Sequence, residues 1–206
     1  DGQAVYKLAV RLSTTLTKGA LFDNLTGPPG NGIIRALYVD GSATPRLYMG
    51  GEFDTIDQVG AFGVMTAHNV AWTTGVASTW AWNTLTDATL EGITGGTVHS
   101  LGELEFSGVK WIFVGCDPTA KGGDVTTADP LWRWNPAGDW VNAEPGLIGV
   151  NEPIQAMANK TDLTEIDYSH FGTAGETTGN QYRIRDDKVT CAKAWIGSGT
   201  GGQAYS

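Results

Sequence analysis

With 206 residues the chain is long enough for one or two globular domains with a real core. Charged residues make up only 17% against 41% hydrophobic, a balance that excludes a disordered chain. The formal net charge is −9, and the 13 basic residues form no cluster. Binding a phosphate backbone depends on Lys and Arg, so neither a nucleic acid nor an anionic membrane surface is an expected partner. No apolar run approaches the ~20 residues of a membrane-spanning helix, so no membrane insertion is expected. The 29 glycines, 8 prolines and many threonines fit short strands joined by tight turns.

In chain order, residues 1–32 read as half of a repeat unit. Tyr6–Val10 is its strand C, Ala20–Leu25 its strand D, and Thr26–Gly32 a closing turn. Residues 33–96 read as a full unit with strands A to D near Ile33–Val39, Arg46–Phe53, Asn69–Thr74 and Thr79–Leu85. Residues 97–152 repeat the pattern near Val98–Leu104, Lys110–Cys116, Pro130–Asn135 and Asp139–Ala143. Residues 153–202 repeat it again near Ile154–Ala158, Thr164–Phe171, Gln181–Arg185 and Thr190–Ile196. Residues 203–206 start a further A strand.

Four short apolar or alternating segments recurring every ~50–60 residues are the signature of a radial β-array. The expected fold is all-β: a propeller-like array of about three and a half four-stranded antiparallel blades. A cut blade leaves unpaired strand edges. The array is therefore expected to belong to a larger ring, a longer polypeptide or an assembly with other copies; the alternative is a four-bladed ring closed by the tail pairing with residues 1–32. Asp1 in first place and the lack of a visible signal peptide suggest a removed leader or one piece of a longer protein.

The phrase Ala36-Leu37-Tyr38-Val39, Leu47-Tyr48-Met49-Gly50-Gly51-Glu52-Phe53, Asn69-Val70-Ala71-Trp72 and Trp80 through Leu85 resembles the kelch-like propeller repeats of surface and secreted proteins and of phage or large-virus structural proteins. The resemblance covers about residues 30–202. The strand-B double glycine is replaced by Gly115-Cys116 in the second unit and Tyr168-Ser169 in the third. Trp80 and Trp140 hold the D-strand tryptophan, with Cys191 in the third unit. The resemblance implies a propeller and little about activity, since functions are grafted on such scaffolds. The galactose-oxidase type is similar in fold alone, because its copper-ligating Tyr and His set is not recognisable here.

Site signals are sparse. The longest links, Asp54–His68, Asp117–Asp129 and Gly172–Asn180, join strands B and C and are expected to be loops that carry any binding residues. Asp54, Asp57, Asp117 and Asp124 lie there. Among the eight tryptophans, Trp72, Trp80, Trp111, Trp132, Trp134 and Trp140 recur at equivalent strand positions and are read as blade-to-blade core. Strand alternation leaves Trp82 and Trp195 as exposed candidates for stacking on sugar rings. Glu52, Asp117 and Asp167 near strand-B ends are the carboxylates a glycosidase reading would use. His68, His99 and His170 fall at three different positions in the unit, and no HxxxH, HxH or CxxC occurs, so no metal or other cofactor is expected. There is no GxSxG nucleophile elbow. Gly27-Pro28-Pro29-Gly30-Asn31-Gly32 reads as a turn, since its prolines lack N–H donors for phosphate. Asn24-Leu25-Thr26 and Asn159-Lys160-Thr161 match the glycosylation sequon. Cys116 and Cys191 fall on strands too far apart to bridge and are expected to be free thiols.

The expected function is a non-enzymatic structural or adhesive module of a cell surface, extracellular fibre or virion. A lectin-type propeller that binds glycan and a propeller glycoside hydrolase are the alternatives.

Overall fold

Among the described residues, β-branched and aromatic runs bounded by glycine and proline become strands. The computed structural model describes residues 10–12, 15–17, 24–27, 30–58, 63–74, 81–86, 91–106, 108–123, 125–143, 153–159, 165–171, 178–185, 188–196 and 203–205, with side chains within 32–157. Among the described residues there is no helix.

The strands run in chain order from β1 (Val10–Leu12) and β2 (Thr15–Thr17) to β3 (Asn24–Gly27) and β4 (Gly30–Asn31). Next come β5 (Ile33–Val39), β6 (Leu47–Glu52), β7 (Thr55–Asp57), β8 (Val64–Thr66), β9 (Val70–Thr73) and β10 (Trp82–Thr84). The middle of the chain forms β11 (Ile93–Thr94), β12 (Val98–Phe106), β13 (Val109–Cys116), β14 (Lys121–Gly122), β15 (Leu131–Trp134) and β16 (Trp140–Asn142). Then follow β17 (Ile154–Asn159), β18 (Glu165–Phe171), β19 (Thr178–Arg185), β20 (Lys188–Ile196) and β21 (Gln203–Tyr205).

Three antiparallel meanders organise these strands: β5-β6-β9-β10, β12-β13-β15-β16, and β17-β18-β19-β20 with β21 added beyond β20. Their strands coincide with the A-to-D segments read from the sequence. They are the first, second and third sheets below.

The register reveals how closely the sheets repeat. Each first strand carries a β-bulge at one place: between Ile34 and Ala36, between Val98 and Ser100, and between Ile154 and Ala156. Just past it Ala36 pairs with Gly50, Ser100 with Gly115, and Ala156 with Ser169. Gly50, Gly115 and Ser169 are therefore equivalent, as are Gly51, Cys116 and His170. This moves the expected third-unit match by one residue, from Tyr168-Ser169 to Ser169-His170. Asp167 pairs with Ala158 and Arg183 in mid-strand, not at a strand end.

Sheet stacking follows from the same positions. β12 lies against β5 and β6 on one side and against β17 and β18 on the other. A Cβ added at Gly50 would collide with Val98 Cγ1 and lie 3.5 Å from Leu101 Cδ1. One added at Gly115 would lie 2.7 Å from Ile154 Cγ2 and 2.7 Å from Met157 Cε. Glycine at this point lets the next sheet's first strand approach closely. The core between the first two sheets gathers Tyr48, Val70, Leu85, Val98, Val114 and Trp132 with their neighbours. A second core, Met49, Phe53, Ile56, Ala67, Ala71 and Trp82, lies on the other face of the first sheet.

Several segments differ from the sequence reading. The first B-to-C link is not an open loop: β7 and β8 pair as a hairpin, and β7 also pairs with β3. Asn24–Gly27 was expected at the end of a D strand and in a closing turn. Instead it joins β4, β7 and β8 in a separate sheet. The expected C strand at Tyr6–Val10 lies outside the described residues except Val10, which pairs in the β1–β2 hairpin. Gln203–Tyr205 pairs with β20 as a fifth strand, rather than opening a new sheet. In the second unit β14 likewise pairs with β11, just ahead of β12. In both units, then, the B-to-C link ties back to the segment leading into the first strand.

Candidate functional site

Among the described residues, the predicted binding carboxylates fall on two links, Asp54 and Asp57 on the first B-to-C link and Asp117 on the second. Asp54 is exposed, its carboxylate 4.0 Å from His68 Nδ1. Asp57 is half-buried in β7, opposite Asn24 and Val64. Asp124 lies outside the described residues, as does the side chain of Trp195, whose backbone pairs with Gly179 and Ala204.

Trp82 overturns the expectation of an exposed indole: it is 3% exposed. It pairs with Thr73, and Gln58 Oε1 accepts a hydrogen bond from its backbone amide at 2.8 Å. The β7–β8 link folds over this face and brings Ile56 and Met65 against it. Trp140 pairs with Trp134 as Trp82 pairs with Thr73, so Trp82 and Trp140 are the equivalent D-strand residues. Trp80 lies outside the described residues. By the same register Val189, not Cys191, pairs at the third-sheet counterpart of that position.

The expected recurrence of the other tryptophans is likewise corrected. Leu131, Trp132, Arg133 and Trp134 pair along β13 as Val70, Ala71, Trp72 and Thr73 pair along β6. Trp72 thus corresponds to Arg133, and Trp111 to Arg46. A one-residue offset sends a side chain to the opposite face. The exchange is reciprocal. The Arg46 guanidinium carbon sits 4.5 Å from the Trp72 ring centroid, and that of Arg133 sits 4.6 Å from the Trp111 ring centroid. The two sheets hold one cation–π pair with cation and ring interchanged.

This predicts compensation. Arg46→Trp and Trp72→Arg should each destabilise the chain, while the double exchange should recover about 0.5–2 kcal/mol relative to their sum. Denaturant unfolding of the four variants in a double-mutant cycle measures the coupling. Additivity within ~0.5 kcal/mol would contradict it.

Titratable groups cluster in two places. Between the first and second sheets, Glu103 is buried with its side chain 0% exposed. Its Oε2 accepts from the Tyr38 hydroxyl at 3.3 Å and the Gly41 amide at 3.1 Å, and its Oε1 meets Lys110 Nζ at 2.9 Å. Beside it, Asp40 Oδ1 accepts from the Arg46 amide at 2.8 Å and the Ser42 hydroxyl at 2.7 Å, closing the β5–β6 turn. Sequence reasoning missed Glu103. The available signal was a carboxylate at an inward position, two residues after Leu101 on the same strand face.

This cluster is expected to make the fold sensitive to alkali. Burial, then the Glu103 carboxylate, pushes the Tyr38 phenol far up. Burial pushes Tyr48 from 10.0 to about 12, with Asp40 adding to the effect and Arg46 opposing it. A phenol raised on folding contributes stability that is full below its unfolded pKa and is lost as pH rises through the folded one. Stability is therefore expected to fall between about pH 10 and pH 12. Phenolate absorbance should rise together with unfolding, and Tyr48→Phe should flatten the pH dependence. A flat stability profile through this window would refute the coupling.

The second cluster lies at the bulge. His99 Nε2 is 2.8 Å from Asp117 Oδ1, and the Thr97 amide donates to Asp117 Oδ2 at 2.8 Å. Burial alone would raise the Asp117 carboxyl, but hydrogen bonds from His99 and Thr97 outweigh it and hold it below its ordinary value. At the equivalent positions of the first sheet Arg35 pairs with Glu52 at 3.4 Å. A basic side chain at the bulge facing a carboxylate at the end of the second strand is thus a repeated latch. Cys116 beside it is a free thiol, fully buried, and burial pushes its pKa well up. The Cys191 side chain lies outside the described residues.

No family model, no curated protein and no solved structure matches this chain. The kelch-like resemblance rests on the internal repeat alone.

Chemically, these arrangements bind the protein to itself. Asp129 shows the same pattern: its carboxylate accepts from the Leu131 amide at 2.8 Å and from Asn142 Nδ2 at 2.9 Å. Ser100, on the bulged strand with His99, donates its hydroxyl to the Ile154 carbonyl at 2.8 Å, linking the second sheet to the third. Among the described residues no three of His, Cys, Asp and Glu come together to hold a metal ion.

Proposed function

We propose that this chain is a non-enzymatic structural β-repeat module, a propeller-like array of the kelch-like type. It serves as a building block of a cell surface, extracellular fibre or virion and is held there by sheet-on-sheet packing with other protein. The observation that carries this reading is the outer face of the first sheet. Leu37 is 48% exposed and Val39 59% exposed, whereas Leu101, the second-sheet counterpart of Leu37, is 7% exposed. Ile33 adds further exposed apolar surface on the same strand. Exposed apolar patches of this kind mark sites of protein contact. Among the described residues, Glu103, Asp117 and Asp129 are each taken up by hydrogen bonds within the protein, in keeping with a structural role. The acidic, Thr- and Gly-rich composition suits the proposed setting.

The test pairs a glycan array and a polysaccharide hydrolysis screen with an apolar dye. No saturable glycan binding and no turnover are expected. Dye should bind the wild type and be lost in Leu37→Lys/Val39→Lys. Saturable glycan binding, or turnover abolished by Asp54→Asn or Asp117→Asn, would overturn the reading.

A further inference from the structure

The two sheet-to-sheet contacts obey one rule, and the rule points beyond the chain. In each, a residue before the bulge and one after it lie over a residue without a side chain in the preceding sheet. Val98 and Leu101 lie over Gly50, and Ile154 and Met157 lie over Gly115. Carried one step back, the same register places Ile34 and Leu37 on the outer face of the first sheet. Carried one step forward, it places Ser169, another small residue, at the Gly50 and Gly115 position of the third sheet. Ile34 already packs against the chain's own second core, so the first sheet displays Leu37, half-exposed, as its knob, and the third sheet has a small residue at the matching position.

A second position agrees. Glu103 of the second sheet meets the Tyr38 hydroxyl of the first, a polar residue on a polar one. By the bulge register the equivalents of Glu103 and Tyr38 are Val39 in the first sheet and Ala158 in the third. An apolar residue on the first sheet thus corresponds to an apolar residue at the receiving position of the third.

We propose that copies of this chain associate head to tail, the outer face of the first sheet of one copy docking on the third sheet of a second copy with Leu37 over Ser169. The contact continues the geometry already used twice within the chain. It joins two different surfaces, so each copy keeps one surface free and the association propagates into a ring or a filament. The inference rests on the structural-module reading and names its partner.

Sedimentation equilibrium over a concentration series tests it. The wild type is expected to form species larger than a monomer as concentration rises. Leu37→Asp removes the knob and Ser169→Trp fills the socket, and each alone should weaken association by on the order of tenfold or more. An equimolar mixture of the two variants should form a discrete heterodimer, because each retains the surface that the other lacks. Melting curves verify folding; Val39→Lys replaces the first variant and Ala158→Arg the second if either fails to fold.

A wild type that stays monomeric overturns the proposal, and so do single variants that associate like the wild type. A mixture of folded variants that stays monomeric also overturns it. A monomeric wild type that still binds the apolar dye and no glycan would end this inference and leave the structural-module reading standing.

Discussion

Replacing Trp132 with alanine is expected to destabilise the chain by about 3–5 kcal/mol, the range for deleting a buried aromatic side chain. Trp132 is fully buried in β15, between the strands β13 and β16. Its indole fills the core between the first and second sheets beside Tyr48, Val114 and Trp140. A Cβ added at Gly122 would lie 2.8 Å from both the Trp132 and Trp140 rings, so the surroundings are already close-packed and collapse poorly around a void. The indole Nε1 also donates to the Ala120 and Asp129 carbonyls at 3.2 and 2.8 Å, tying down the link between β13 and β15. Trp132→Phe keeps most of the volume and loses the donor, so it should cost about 1–3 kcal/mol. Urea unfolding should show a lower midpoint at unchanged slope. Against a net stability of about 5–15 kcal/mol that is a large part of what holds the chain folded. A loss below ~1 kcal/mol would mean that this core does not hold the two sheets together.

Asn69→Ala is expected to cost about 4 kcal/mol, from three hydrogen bonds at roughly 1 kcal/mol each and a similar backbone penalty. Asn69 sits at φ 67°, in the left-handed region that asparagine tolerates better than alanine. Its Oδ1 accepts from the Phe53 amide at 2.8 Å, and its Nδ2 donates to the Ile93 and Gly96 carbonyls at 2.9 and 3.0 Å. One side chain therefore joins the end of β6, the start of β9 and the segment that leads into the second sheet. Nearby Gly92, at φ 72°, has the Ala67 and His68 carbonyls where a Cβ would go. Asn69→Gly loses the hydrogen bonds but keeps the backbone conformation, so it should be about 1 kcal/mol more stable than Asn69→Ala. That ranking reverses the usual preference for alanine over glycine. Thermal melts of the two variants decide the matter, and an alanine variant as stable as the glycine one would remove the backbone part of the argument. The second sheet has Pro130 at this position, whose carbonyl accepts from the Cys116 amide at 2.8 Å. The second sheet therefore lacks this polar hub, while the third sheet has Asn180 at the same register position.

Much of this fold was legible in the residues. The four segments Ile33–Val39, Arg46–Phe53, Asn69–Thr74 and Thr79–Leu85 return as β5, β6, β9 and β10, and the second and third units return likewise. The candidate site was far less legible. Alternation alone places Trp82 toward solvent, yet its face is covered by the Asp54–His68 link, which folds back as a hairpin. Glu103 is an ordinary acidic residue in the sequence, and its burial follows from Tyr38, Gly41 and Lys110 converging on it from three other segments.

Local patterning by itself determined the all-β class and the three successive meanders. Strand-forming residues and glycine turns act over a few neighbours, and the period of two is written into each segment. Tertiary structure alone decided which face each residue takes and what lies opposite. A single bulged residue at Arg35 or His99 shifts the alternation by one, and a one-residue shift exchanges core for solvent. The pairing of Asn24–Gly27 with Thr55–Asp57, the interchange of Arg46–Trp72 with Trp111–Arg133, and the fit of Val98 over Gly50 all depend on contacts between segments distant along the chain. Such contacts exist only once the sheets have stacked, because close packing between faces, not the propensity of any one strand, selects them.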